Sequence, residues 1–450
     1  MSSARLRILF GTALFSILLK LTNLIKILLI ARTRGVSSET DSFFLFMGII
    51  MPVYYVLESV LTPAIIPFYK KKTSGRLIRF TGSIMFIITV AGGIYTSAST
   101  DSDLIVVFLI SCFIIFSSFL KSLFESDRRF VENILIDVLS TCVFIIFLFS
   151  GMNIFIILFI SEMVRVLFKS GIAILKGVIS AEASYDVPEG FMKNLLLITS
   201  GTLFSNLVIV IDNTMSARIE SGPSVLNYGL LVCSSIFSYI NFVITGYSIR
   251  YISDADSNDD VTDAVLGDIL TNLFFPVTLV CIYVLIYAPD IMDLIFSGNS
   301  ISERDLQTIY SMTSLSMIYV PVFFLMLLHI RYFNAEKRNF FPAAVALINL
   351  VVHIAVLMIF FKSYGVYAVL WARMVSDLLS LFLLIKKDLR IISVLRQKYQ
   401  NISICLFISA VIYFMRGLPG SQFLNAFVLA ATVFWYQKDF YVRFFRTDRQ

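Results

Sequence analysis

The chain has 450 residues, 58% of them hydrophobic and 15% charged, with a formal net charge of +6 and a mean hydropathy of +0.87. A soluble protein of this length would need far more polar surface to cover its core. The apolar residues also come in continuous blocks of about 20, the length that crosses ~30 Å of hydrocarbon, and they do not alternate as barrel strands do. The expectation is an all-α polytopic membrane protein.

The apolar blocks predict spans at 8–31, 42–68, 78–98, 103–124, 132–150, 152–175, 194–217, 225–249, 264–288, 307–332, 341–361 and 364–385. Two shorter ones follow at 401–415 and 422–436, either a last pair of crossings or a re-entrant hairpin. The start, "MSSARLRILFGTALF", lacks a small-residue cleavage site and reads as a retained first helix. With the N-terminus placed in the cytoplasm, 25 Lys and Arg fall on the inner side and six on the outer, among them Arg32 and Arg34. That bias requires an even number of crossings and puts both termini inside, for about fourteen helices. The positive charge is then an inner-face surplus toward anionic lipid, and nucleic acid is not an expected partner.

The first span, "FSILLKLTNLIKILLIARTRG", holds Lys20 and Lys26 with Asn23 between them. A basic residue at the middle of a helix costs about 2.5–3.5 kcal/mol on insertion scales. Lys20 lies near the middle of its predicted span, while Lys26 lies near the outer end and could snorkel. Steps of three along a helix drift by about 60°, so the three residues form a slanted polar stripe. Turned toward a cavity, the stripe is an anion site; turned toward a neighbour, Lys20 makes a structural ion pair. Glu58 in the second span, at comparable depth, is the natural structural partner. A third arrangement joins the two: Glu58 or Asp41 competes with a bound anion for the lysines. In the same span Pro52, Pro63 and Pro67 predict bends.

Farther on, Glu162, Arg165 and Lys169 make an intrahelical acid–base ladder in the sixth span. Asp212 is a lone acid in the seventh, between Asn206 and Asn213, and serves either ion coupling or pairing. Arg373 and Asp377, four apart in the twelfth span, read as another pair. The five cysteines all lie within apolar blocks without metal-like spacing, and His329 and His353 are far apart. No Walker loop, GxSxG or HExxH occurs, so neither an ATPase, a hydrolase nor any other enzyme is expected. No catalytic residue, metal site or cofactor is expected, and the only ion foreseen is a coupling one, H+ or Na+.

The chain echoes itself. "LFESDRRF" at 123–130 returns as "YFNAEKRNF" at 332–340, "SEMVRVL" at 161–167 as "ARMVSDL" at 372–378, and "ARTRGVSSETD" at 31–41 more loosely as "ARIESGPSVLN" at 217–227. The implied plan is two six-helix lobes in parallel repeat, 1–185 and 186–392, and a terminal helix pair with a basic tail, 393–450. The "SAEASYDVPEG" stretch at 180–190 is the natural linker. Parallel repeats of this kind place a substrate path between the lobes, which is transporter architecture.

The segment "KILLIARTRGVSSETDSFFLF", with Ala31, Arg32, Gly35, Thr40, Asp41, Phe43 and Phe44, resembles the start of the MurJ/MviN-type lipid II flippases. Looser likenesses run through "LVIVIDNTMSARIESGPSVLNYG" at 207–229 and "FNAEKRNFFPAAVALINLVVHI" at 333–354. The resemblance implies a diverged member of that family, within the multidrug/oligosaccharidyl-lipid/polysaccharide exporter superfamily, in a bacterial inner membrane. It implies flipping of an undecaprenyl-pyrophosphate-linked glycan by alternating access, with Lys20, Asn23 and Lys26 on the pyrophosphate. Glu58, Asp41, Asp212, Arg165 and Arg373 are then the coupling or ion-pair candidates. Expected partners are the lipid-linked oligosaccharide, membrane lipids and envelope-biosynthesis enzymes, with the chain itself a monomer. The sequence also departs from the family. Lysines stand where its first helix has arginines, Tyr54 and Tyr55 replace arginines of the second, and "YGLL" replaces Tyr-Ala-Asp-Arg. Lys is a point charge where Arg grips a phosphate with two donors, so lipid II and a different lipid-linked glycan both stay open. Two other readings remain: a multidrug or cation antiporter of the same superfamily, and a non-transporting scaffold for envelope assembly.

Overall fold

A computed structural model describes residues 3–65, 104–126, 129–176, 191–240, 259–296, 301–336, 338, 340–416 and 425–432. Within them the chain is helical throughout, without strands. In order, the helices are α1 Ser3–Arg34, α2 Ser38–Ile65, α3 Leu104–Ser126, α4 Phe130–Leu148, α5 Ile154–Leu175, α6 Phe191–Ser216, α7 Gly222–Gly229, α8 Leu231–Ile240 and α9 Asp259–Ile269. A π turn, Leu270–Phe274, joins α9 to α10, Phe275–Phe296. Then come α11 Glu303–Ala335, α12 Phe340–Tyr364, α13 Tyr367–Lys387, α14 Arg390–Gln397, α15 Tyr399–Met415 and α16 at 425–432.

Five helical stretches among the described residues are long and apolar enough to cross a membrane, or up to six if α7 and α8, bent by 48°, count as one broken span. The predicted span at 78–98 and the linker at 180–190 lie outside the described residues. The first predicted span is too short by three residues at its end, because α1 runs on to Arg34. Gly35 stops it there, at φ 62°, with its N–H donating to the Ala31 carbonyl at 3.0 Å. Glycine takes this left-handed backbone without steric cost, which makes it a common helix terminator. Ser37 then starts α2: its hydroxyl accepts from the Thr40 N–H, and the Thr40 hydroxyl accepts from the Ser37 N–H at 2.9 Å. A second turn, α4 to α5, is tied to this one. Arg34 Nη2 donates to the Met152 carbonyl at 2.5 Å, and the Ile154 N–H donates to Glu39 Oε1 at 2.7 Å.

The chain divides into two compact units. The first is Ser2–Val225 with Gly298–Ser302; the second is Leu226–Ser297 with Glu303–Gln450. In the first, α2 packs on α3 and α6, α1 on α4, and α5 on both α3 and α4. Buried Phe43, Phe44, Phe46, Phe144 and Phe155 fill the interior. This division by packing places α6 with the helices before it, whereas the sequence repeat starts a lobe at 186. The close approach of α6 to α2 explains why: a Cβ on Gly48 would lie 2.2 Å from Asn213 Cγ. In the second unit, α11 packs on α10 and α13, α12 on α13, and α15 on α10. Its core runs from Cys233 and Ile240 through Leu270 and Leu273 to Phe324 and Leu328.

Candidate functional site

Four helices of the first unit, α1, α3, α4 and α5, bring charges together, with Tyr54 of α2 beside them. Asp137 of α4 is 8% exposed, Glu162 of α5 is 4%, and Lys169 of α5 is fully buried. Lys169 Nζ stands 2.8 Å from Asp137 Oδ1, and Arg165 Nε stands 3.3 Å from the same oxygen. Arg165 Nη1 donates to both Glu162 oxygens, at 2.7 and 2.8 Å. Lys26 of α1 lays its ammonium over the Phe144 ring, 4.2 Å from the centroid, with Phe43 at 5.9 Å. Among the described residues it makes no ion pair within 4 Å, though it lies within electrostatic reach of Glu162 and Arg165. Lys121 of α3 sits 5.9 Å from the Tyr54 ring of α2 and within reach of Asp137 and Lys169. Tyr54 in turn is within reach of Arg165.

Among the described residues of the cluster, three cations, Lys26, Arg165 and Lys169, face two carboxylates in a poorly solvated interior. Each ion pair recovers part of its own desolvation, and Lys26 is left without an acid within 4 Å among those residues. Such a cluster attracts an anion, and Arg165 offers it the planar fork that a lysine lacks. A face-on aromatic ring holds Lys26 in place without neutralising it.

The other residues singled out in the sequence fall in several places. Lys26, eight residues before the end of α1, is half-buried against Phe144, while Lys20 lies near the middle of the helix. Lys20 is exposed and Asn23 half-buried on the same helix. Glu58 lies on α2, but its side chain, and so any pairing with Lys20, is outside the described part. Asp41 caps the start of α7, its Oδ1 accepting the Ser224 N–H at 2.9 Å, while the Ser224 hydroxyl donates to Thr40 at 3.0 Å. Asp212 is fully buried on α6. Arg373 is half-buried on α13, in the second unit, within reach of Asp377. There the Asp377 carboxylate accepts from the Tyr319 hydroxyl at 2.5 Å and from Asn349 Nδ2 at 2.6 Å. Asn349 Nδ2 also donates to the Ser380 hydroxyl at 2.9 Å.

Asp137 and Lys121 escaped the sequence reading. Asp137 is a lone acid within a predicted span, the same signal that marked Asp212. Lys121 was counted only as an inner-face charge, and no sequence pattern ties it to α5. Among the described residues no group of His, Cys, Asp or Glu could hold a metal ion.

No family model matches the chain, and no curated protein matches it in sequence. Solved structures do match, and they agree on the fold: this chain is folded like transporters of the multidrug/oligosaccharidyl-lipid/polysaccharide exporter, or MOP, superfamily. The lipid II flippase MurJ in an inward closed conformation superposes with a TM-score of 0.78 at 15% identity, over 97% of this chain and 99% of that one. An inward-facing multidrug-resistance MATE transporter of the MOP superfamily gives 0.66 at 13%, over 84% and 96%. A MOP superfamily transporter from Pyrococcus furiosus gives 0.58 at 12%, over 85% and 94%. The MurJ likeness extends over nearly the whole of both chains, as the Ala31–Phe44 segment led us to expect, and at this identity it speaks for the fold. These neighbours are transporters and not enzymes.

Proposed function

We propose that the chain is a flippase that moves an undecaprenyl-pyrophosphate-linked glycan, lipid II or a polysaccharide repeat unit, across the bacterial inner membrane by alternating access. The observation that carries this is the sign of the buried cluster in the first unit. Among the described residues Lys26, Arg165 and Lys169 outnumber Asp137 and Glu162, so the site suits a compact polyanion such as a pyrophosphate. Arg165 and Lys26 are the groups that would touch it. Lys169, locked onto Asp137, contributes field and not contact. Lys20 and Asn23, further along α1, lie on the path by which the head group would arrive from the cytoplasm, and the polyprenyl tail stays in the bilayer.

A carrier must also close behind its cargo. The Asp41 and Thr40 contacts to Ser224 join α2 to the start of α7 and would act as the outer closure in this state. Coupling to membrane potential or to an ion, H+ or Na+, falls to the buried acids. Asp377 with Tyr319, Asn349 and Arg373, and Asp212 on α6, are the candidates. Envelope-biosynthesis enzymes would supply and consume the substrate, and the chain would work as a monomer. The positive cluster argues against a cavity for cationic drugs, and a non-transporting scaffold would have no use for an ammonium such as that of Lys26, held on an aromatic ring with no described acid within 4 Å.

The test is a flipping assay in proteoliposomes with a fluorescent undecaprenyl-pyrophosphate disaccharide. Arg165→Ala and Lys26→Ala should each lower the rate at least tenfold while the protein inserts normally. Wild-type flipping in the double variant would sink the proposal, and resistance to cationic drugs in its place would favour the antiporter.

A further inference from the structure

Resting on that reading, we infer that Glu162 is the resident counter-anion of the site: it occupies Arg165 when the site is empty and yields it to an incoming phosphate. The two acids of the cluster are held differently. Asp137 is clamped by two cations from another helix, one of them fully buried, and is the fixed member. Among the described residues Glu162 has a single ion-pair partner, Arg165, one turn along its own helix. Releasing it needs side-chain rotation alone and no movement between helices. Both its oxygens converge on one nitrogen, Nη1, at 2.7 and 2.8 Å. Arg165 Nη2 donates to nothing among the described residues. One edge of the guanidinium is therefore open while the other is occupied by an internal ligand.

Lys26 completes the arrangement. Its ammonium rests on Phe144 within electrostatic reach of Glu162, yet the two make no ion pair. A phosphate that bonds Lys26 and Arg165 Nη2 stands close to Glu162, and like charges then push the carboxylate off Nη1. Nη1 then passes from Glu162 to the phosphate, which gains through Nη1 and Nη2 the bidentate grip that the carboxylate, on Nη1 alone, lacks. A carrier needs this exchange, because these cations with no competing acid would hold pyrophosphate too well to release it. Binding that is equally strong throughout the cycle does not speed a cycle. Glu162 restores the empty state by returning to Arg165 and displacing the product. It is a positioning residue and does not itself touch the cargo.

The experiment titrates undecaprenyl pyrophosphate into the full-length protein in nanodiscs and measures flipping of the fluorescent disaccharide lipid in parallel. Glu162→Gln is expected to bind the pyrophosphate lipid at least tenfold more tightly and to flip at least tenfold more slowly at saturation. Both KM and kcat therefore fall. Glu162→Asp, which keeps the charge but reaches Arg165 less well, should give values between those of wild type and Glu162→Gln. Were Glu162 only a brace for Arg165, the Gln variant would bind more weakly or equally, and that result overturns the inference while leaving the flippase reading intact. If neither wild type nor Glu162→Gln binds the lipid, the two fall together. Should Glu162→Gln unfold, Glu162→Asp decides alone: its longer reach to Arg165 weakens the internal pair, so intermediate tightening supports the exchange and unchanged affinity refutes it.

Discussion

The helix pair α4–α5 of the first unit and the pair α12–α13 of the second occupy matching places in the sequence repeat, and they solve the same packing problem with opposite chemistry. Setting "SEMVRVL" on "ARMVSDL" brings Glu162 against Arg373 and Lys169 against Ser380. In the first pair the two helices are joined by ions, Asp137 to Lys169 and Arg165. In the second they are joined by an amide, Asn349 of α12 bonding Asp377 and Ser380 of α13. An ion pair adds a second buried charge to desolvate, and losing one of its partners is strongly destabilising, whereas the amide donor of the second pair is itself uncharged. Among the described residues the first joint holds two cations on one acid, and the second holds the Asp377 carboxylate on neutral donors with Arg373 within reach. In the cycle proposed above, the first would serve the anion and the second the coupling ion.

The largest effect should come from breaking the ionic joint at one side. Lys169→Met leaves Asp137 buried with only the 3.3 Å contact to Arg165, and loss of one partner of a buried pair costs about 3–5 kcal/mol. Thermal unfolding in detergent should show a large fall in midpoint. The double variant Lys169→Met with Asp137→Asn should regain much of it, since both charges are then gone. If the single variant is as stable as wild type, the joint is not ionic in substance and the comparison between the units collapses.

Next in size is the acid of the second unit. Tyr319→Phe removes the 2.5 Å hydrogen bond to Asp377 and leaves the carboxylate to Asn349 and Arg373. Hydrogen bonds to charged groups are worth about 1.5–3 kcal/mol, so a loss of that order is expected in the same unfolding measurement. In the flipping assay this variant should alter the dependence on ion gradients more than the affinity for the pyrophosphate lipid. The reverse pattern would mean that the acid belongs to the substrate site.

The helical, membrane-crossing class and the α1–α2 turn were legible in the sequence, because both are local. Block length gives the first, and Gly35 with the Ser37–Thr40 pair gives the second. The ladder Glu162–Arg165–Lys169 was legible for the same reason, as spacing along one helix. The site as a whole was not. Its members come from α1 to α5, and nothing in a single chain's pattern says which faces of five apolar helices meet. The seat of Lys26 on the Phe144 ring was not legible for the same reason, since it depends on which face of α1 meets α4.

A tighter geometric test concerns the close approach of α2 and α6. A Cβ added at Gly48 would fall 2.2 Å from Asn213 Cγ, and the side chain of Asn213 is anchored by its bond to the Ile209 carbonyl at 2.9 Å. Gly48→Ala must push the helices apart or break that bond, at about 1–3 kcal/mol. The counterpart in the second unit is Gly229, where a Cβ would meet Met312 Cβ at 2.6 Å. That Cβ moves only with the α11 backbone, so rotation of the methionine relieves nothing and Gly229→Ala should cost about as much as Gly48→Ala. A much smaller loss at Gly229 would show that α11 gives way where α6 does not.

The smallest expected effect separates the ionic joint from the ordinary hydrogen bond beside it. Ser140 of α4, fully buried, donates to the Ser161 carbonyl of α5 at 2.8 Å. Ser161 is one residue before Glu162, so this bond fixes the height of the two helices next to the cluster. Ser140→Ala removes the donor and leaves a small apolar side chain in its place, while the carbonyl keeps its place in the helix ladder. A net loss of about 0.5–1.5 kcal/mol follows, several times less than for Lys169→Met. Anion affinity should change little, because neither Arg165 nor Lys26 loses a contact. If Ser140→Ala weakens pyrophosphate binding as much as Arg165→Ala does, the register of α4 on α5, and not the surplus of cations, governs the site.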